Sequence, residues 1–125
     1  MEQTAERPAR KTASGQDRML TVKTRWDSRP VPVRDVLYAE SFGRKVILHL
    51  TNGQMEYYER IGNLERSLGD GFFRVHRSFL VNLDRIDRYT RNEIRMCGGG
   101  AVWISKYKYA DFVRAYEAGK KARIA

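Results

Sequence analysis

The chain has 125 residues, 42% of them hydrophobic, with one cysteine and 24 Lys and Arg against 15 Asp and Glu, a net charge of +9. That length suits one domain with a real core rather than two, and the composition excludes a wholly disordered chain. The lone Cys97 excludes a disulfide framework and a thiolate metal cage, and no apolar run approaches the roughly 18 residues of a membrane helix. The start, MEQTAERPARKTASGQDR, lacks the apolar core of a secretory signal, so a reducing cytoplasm is the expected compartment. A basic field attracts polyanions, nucleic acid first; an anionic membrane or an acidic protein would answer the same charge.

Residues 1–18 contain no large aliphatic or aromatic residue after Met1 and are expected to form a disordered leader. Four basic and three acidic residues fall there, which leaves 20 and 12 in residues 19–125, a net +8 on the expected single domain. From residue 19 the dominant period is two. Leu20 to Lys23 alternates, and Arg25 to Pro32 reads as a turn region broken by two prolines. Val36–Glu40 is a predicted strand. After Ser41-Phe-Gly43-Arg44, the run Lys45–Thr51 places Val46, Leu48 and Leu50 on one face. Asn52-Gly53 then predicts a type I′ hairpin into Gln54–Glu59, because both residues tolerate positive φ.

Residues 61–68 read as a short helix with Leu64 and Leu68 on one face, Asn63 as N-cap and Gly69 as the stop. Strands are predicted at Phe72–Arg77, Phe79–Val81, Ile86–Tyr89, Glu93–Cys97 and Ala101–Ile104, with turns at Arg91-Asn92 and Gly98-Gly-Gly100. Tyr109, Phe112, Val113 and Tyr116 carry helical spacing, with Gly119 at the expected C′ position and Lys120, Lys121 and Arg123 near the negative end of the dipole. The expected class is therefore all-β, mainly antiparallel, with a short internal helix and a C-terminal helix.

Residue chemistry argues against an enzyme. His49, His76 and Cys97 are scattered, and nucleophile-elbow, phosphate-loop and H-E-x-x-H patterns are missing. No metal site or cofactor is expected. Gly98–Gly100 reads as a hairpin turn rather than a phosphate cradle, and Cys97 as a small strand residue. Ser105, placed to cap the last helix, is followed by Lys106 and Lys108 in its first turn, where cations oppose the dipole. They are either solvated surface or, with the free amides, a phosphate site. The Gly43-Arg44-Lys45 loop is likewise an ordinary turn or a groove reader, with Arg44 on a guanine edge and Lys45 on phosphate.

In order, Asp35-Val-Leu-Tyr-Ala-Glu40, Lys45–Leu50, Asn52-Gly53, Leu64 and Leu68, Phe72-Phe-Arg-Val-His-Arg-Ser-Phe-Leu-Val-Asn82, Ile86 and Trp103-Ile-Ser-Lys106 resemble the LytTR family of bacterial DNA-binding domains from about residue 19 to residue 117. The resemblance implies a small multi-sheet β fold that sets loops into successive major grooves and regulates transcription as a sequence-specific binder of double-stranded DNA. It implies contacts from Arg44 and Lys45, from Arg77 and Ser78, and from Ser105 and Lys106, with Lys108 on phosphate. It places His76 first as a hydrogen-bonded packing residue and second as a DNA contact, and Asn82 as a strand-end tie. Arg74 receives no role. Strand alternation points Phe73 and Val75 inward, then Phe79 and Val81 after a break that exposes Arg77-Ser78.

Two departures qualify the resemblance. Members usually carry a receiver or membrane module ahead of this domain, whereas about 18 residues precede it here, so control by an attached receiver is not expected. Tyr107-Lys-Tyr109 replaces the Arg-rich run common after Ser-Lys, which puts base preference at that end in question. Pairs of copies, with a homodimer on DNA, are expected on repeated promoter sites. The competing reading is a module that sequesters another regulator of the same type through Tyr57, Tyr58 and Tyr107. Single-stranded RNA binding lacks a repeated aromatic-basic platform.

Overall fold

A computed structural model describes residues 18–124. The expected leader, apart from Arg18, lies outside the described residues. In chain order the strands and helices are β1 (Met19–Lys23), β2 (Ser28–Pro32), β3 (Val36–Phe42), β4 (Lys45–Leu50), β5 (Gly53–Tyr58), α1 (Ile61–Leu68), β6 (Phe72–His76), β7 (Phe79–Asn82), β8 (Ile86–Tyr89), β9 (Glu93–Met96), β10 (Ala101–Trp103) and α2 (Tyr109–Ile124). They form three antiparallel sheets: the β1–β2 hairpin, a central sheet in the order β5-β4-β3-β7-β6, and a small sheet in the order β10-β9-β8. The expected all-β class with two helices is the observed one.

One core draws on all five strands of the central sheet, and a second core draws on β3, β7 and β6. The first gathers Leu20, Val22 and Val31 of the hairpin and Leu64 and Leu68 of α1 against Val46, Leu48 and Leu80. The other gathers Ile94, Val102 and Phe112 against Leu37, Tyr38, Val75 and Val81. β3 belongs to both. Val36 and Ala39 enter the first core and Leu37 and Tyr38 the second, across a register irregularity between Val36 and Tyr38. Burial of a side chain such as Phe112, fully removed from solvent, contributes about 1.5–3 kcal/mol.

Several boundaries differ from the sequence reading, each for a local reason. Ser28–Pro32 is a strand and not a turn, because a two-stranded sheet has free edges on which Pro30 and Pro32 need no ladder donor. The β4–β5 hairpin turns at Thr51-Asn52, one residue early, with Leu50 opposite Gly53. Among the described residues none but glycine has positive φ, so Asn52 does not adopt a type I′ conformation; Gly53 takes φ 147° inside the strand. The Thr51 amide donates to the Asp35 carbonyl at 2.9 Å, which pins that turn. α1 starts at Ile61, which is buried, so Arg60 stands at its N-cap and Asn63 is inside it, donating to Glu59 Oε1. Gly69 does end it, at φ 67°.

α2 starts at Tyr109 rather than at Ser105, and runs through Gly119 to Ile124. A glycine in an open helical surface weakens a helix by about 1 kcal/mol without ending it. In Phe72–Asn82 both alternating sets are inside, not one: Phe72 and Leu80 face the first core, Phe73, Val75 and Val81 the second, and Phe79 is half-buried against the second.

Candidate nucleic-acid interface

β3 ends, β4 begins, β5 ends, β6 ends and β7 begins at one edge of the central sheet, since Phe42 pairs with Lys45, Lys45 with Tyr58, and His76 with Phe79. The β3–β4 turn holds Gly43, at φ 64°, and the exposed Arg44. Only a residue without Cβ takes that φ unstrained, which lets the strands reverse in two residues. Lys45 sits next in β4, with Nζ 3.4 Å from Glu56 Oε2 and 5.1 Å from the Tyr58 ring centroid.

The β6–β7 turn, Arg77-Ser78, lies beside this one. The Ser41 amide donates to the Ser78 carbonyl at 2.9 Å, and the Ser78 amide donates to His76 Nδ1 at 3.1 Å. With Nδ1 accepting, a neutral His76 carries its proton on Nε2. Its ring is 5.5 Å from that of Phe79. His76 is thus half-buried and hydrogen-bonded within the turn. The Arg77 side chain is exposed, while its carbonyl accepts from Arg74 Nη2 at 2.8 Å. Arg74 Nη1 meanwhile donates to Glu65 Oε1 of α1 at 2.9 Å. Arg74, given no role by the sequence reading, ties the turn to α1. A β6 residue with an acid on a neighbouring helix was its only available signal, and sequence alone does not pair the two.

Ser105, Lys106 and Lys108 reach the same edge by a different route. The Ser105 amide donates to the Val75 carbonyl at 2.8 Å, which fastens the segment after β10 to the end of β6. Ser105 caps a separate turn ahead of α2: its Oγ accepts from the Tyr107 amide at 3.3 Å and its carbonyl from the Lys108 amide at 2.9 Å. Lys106 and Lys108 therefore lie in that turn and not in the first turn of α2, as expected from the sequence, and the opposition to the helix dipole is weaker than it would be there. Tyr107 between them is 83% exposed, with Lys106 Nζ 5.4 Å from its ring centroid.

The fold brings together all eight residues singled out from the sequence, six in three adjacent turns and Lys45 and His76 at the strand ends beside them. Arg44, Arg77, Lys106 and Lys108 have no acidic partner among the described residues, so their charges are presented outward. No group of His, Cys, Asp and Glu suited to a metal ion occurs among the described residues, and none of their helices is long and apolar enough to cross a membrane.

Residues 27–117 match the LytTr DNA-binding domain family. The chain belongs to this family. A solved LytTr DNA-binding domain from Bacillus cereus is similar to it in structure, with a TM-score of 0.64 and 28% identity over 79% of this chain and 95% of that one. Among curated proteins, Accessory gene regulator protein A of Staphylococcus aureus is 35% identical over 77 residues, which is 58% of this chain and 32% of that protein. Transcriptional regulatory protein NatR of Bacillus subtilis is 23% identical over 65% of this chain and 35% of its own length. The chain spans about a third of these curated relatives. The LytTr match contains every residue of the three turns and begins after Trp26.

Proposed function

We propose that this LytTr domain is a sequence-specific reader of double-stranded DNA that regulates transcription from the cytoplasm, and that the three basic turns enter the grooves. The observation that carries this reading is the gathering of Arg44, Arg77, Lys106 and Lys108, unneutralised, on one sheet edge from segments far apart in sequence. At about 4.8 Å per strand the five strands span about 19 Å, longer than the roughly 12 Å width of a major groove, so such an edge meets groove and flanking backbone together. Arg44 and Arg77 act on base edges, each bidentate contact being worth about 1–3 kcal/mol of discrimination. Lys45, Lys106 and Lys108 neutralise phosphate, and Ser78 and Ser105 present hydroxyls at the turns. His76 holds the Arg77-Ser78 turn in shape. Two copies act side by side on repeated sites.

The test is selection of a preferred duplex from random sequences, followed by binding at several salt concentrations. Arg77→Ala is expected to erase sequence preference. Lys108→Ala is expected to weaken all duplexes alike and to lower the salt slope by about 0.9. Preference retained by Arg77→Ala refutes the base-reading role, and no duplex affinity at moderate salt refutes the whole reading.

A further inference from the structure

We infer that the tip of the β1–β2 hairpin, Lys23 to Asp27, is a further DNA contact that grips the sugar–phosphate backbone outside the segment read by the three turns. This rests on the proposed function above. The tip stands at the same end of the molecule as the basic turns: Lys23–Asp27 and Arg29 line one wall of an open cleft of about 590 Å³ whose other wall is Lys45, Glu56, Tyr57 and Tyr58. The tip therefore lies beside the start of β4 and the end of β5, next to the turn that carries Arg44.

The tip is built to hold two side chains outward. The Thr24 amide donates to the Asp27 carbonyl at 2.8 Å, and Thr24 Oγ1 donates to Asp27 Oδ1 at 2.8 Å while accepting from the Trp26 and Asp27 amides at 3.1 Å. Such a turn locks four residues and leaves Arg25 and Trp26 nothing to pack on within the hairpin. Trp26 is 84% exposed, the most exposed large hydrophobic side chain among the described residues, with the Arg25 guanidinium 5.5 Å from its ring centroid. Tyr58, 71% exposed, lines the same cleft, and two exposed rings facing one cleft make a patch of the kind that marks a binding surface.

The charges identify the occupant. Asp27 is engaged by Thr24 and lies 3.8 Å from Arg29, and Glu56 is paired with Lys45. Lys23 and Arg25 have no acidic partner among the described residues. The cleft thus offers two free cations beside two exposed rings, Trp26 and Tyr58, which suits phosphates spaced along a strand with deoxyriboses between them. An acidic protein segment would meet the same cations, but the tip shares its cleft with Lys45, which adjoins the Arg44 turn, so a duplex seated on the basic turns is the occupant we assign. The contact carries no base preference, because it reaches backbone only.

The test uses the full chain on two duplexes: the selected site alone, and the same site extended by about half a helical turn, five base pairs, on each side. Arg25→Ala and Trp26→Ala are each expected to bind the extended duplex roughly three- to tenfold more weakly than wild type, to bind the short duplex equally well, and to keep the base preference. Arg25→Ala should also lower the salt slope by about 0.9 on the extended duplex only. In a Trp103→Phe background Trp26 is the sole tryptophan, and its emission should change with the extended duplex and not with the short one. Lys108→Ala, by contrast, should weaken both duplexes. Wild-type affinity of both tip variants on the extended duplex, or equal loss on the two duplexes, overturns the inference while leaving the proposed function standing. Failure of the wild type to bind any duplex overturns both.

Discussion

Asn82 is the one fully buried polar side chain among the described residues, and its geometry accounts for its place. Its Nδ2 donates to the Val36 carbonyl at 2.7 Å and its Oδ1 accepts from the Asp84 amide at 2.9 Å, joining the end of β7 to the start of β3 and to the following turn. Asn82→Ala removes both hydrogen bonds, the one to the Val36 carbonyl being buried, and we expect a loss of about 1–3 kcal/mol in urea denaturation. Arg74 holds two partners that no shorter side chain can reach together, Glu65 and the Arg77 carbonyl. Because Arg74 is half-buried, Arg74→Ala should cost only about 1 kcal/mol of stability. It should nevertheless lower affinity for the selected duplex, because the Arg77 backbone is no longer fixed; unchanged affinity would show that the turn keeps its shape without it. An amide-bearing strand-end residue such as Asn82 is legible in sequence, whereas Arg74 is not. Its role depends on α1 lying against β6, a relation set by packing and not by spacing.

At the scale of elements, the hairpins read most clearly. The β4–β5 strands followed from the alternation of Val46 and Leu48, and the β9–β10 turn from Gly98–Gly100, since period two and turn glycines are local properties. Exact turns were less legible. Thr51-Asn52 forms the β4–β5 turn because the Thr51 amide is drawn to Asp35, a tertiary contact no local pattern shows. In the same way Ser105 is drawn to Val75 and begins a turn of its own instead of α2. The three parts of the candidate site were visible as separate basic turns, and their placement side by side needed the strand order β4-β3-β7-β6. In the β9–β10 turn, Gly99 and Gly100 have φ of 100° and 93°, both strained for any other residue. A Cβ on Gly100 would in addition lie 3.3 Å from Tyr38 Cε1, whereas one on Gly99 meets nothing. Gly100→Ala should therefore destabilise by about 1 kcal/mol more than Gly99→Ala, measured by thermal unfolding of the two variants. Equal losses would mean that the Tyr38 ring moves aside freely.

For the whole molecule, charge and pH give two further expectations. A net +8 on residues 19–125, with Arg44, Arg77, Lys106 and Lys108 unpaired at one end of the central sheet, should make duplex affinity fall steeply with salt. At high pH the fold itself weakens. Burial, and secondarily the charge of Glu59, pushes the Tyr57 hydroxyl up to about 12, and burial with Glu40 raises Tyr38. Both groups are uncharged well below pH 10 in either state; near and above it the unfolded chain loses these protons first, so stability falls as pH rises through 10 toward 12. Tyr57→Phe should flatten that fall in urea denaturation at stepped pH, and an unchanged slope would exclude Tyr57 as its source.

The division of β3 between the two cores has a consequence for how the protein breathes. Any fluctuation that detaches β3 from one core strips the other of a wall, so the central sheet has no cheap partial opening. Amides of Ala39, Leu48 and Leu80 should exchange with solvent deuterium only through global unfolding. The β1–β2 hairpin, two strands attached to one face alone, can lift without breaking the central ladder. Its amides at Thr21 and Val22 should exchange sooner, and a bound duplex that touches Trp26 should slow them far more than it slows β3.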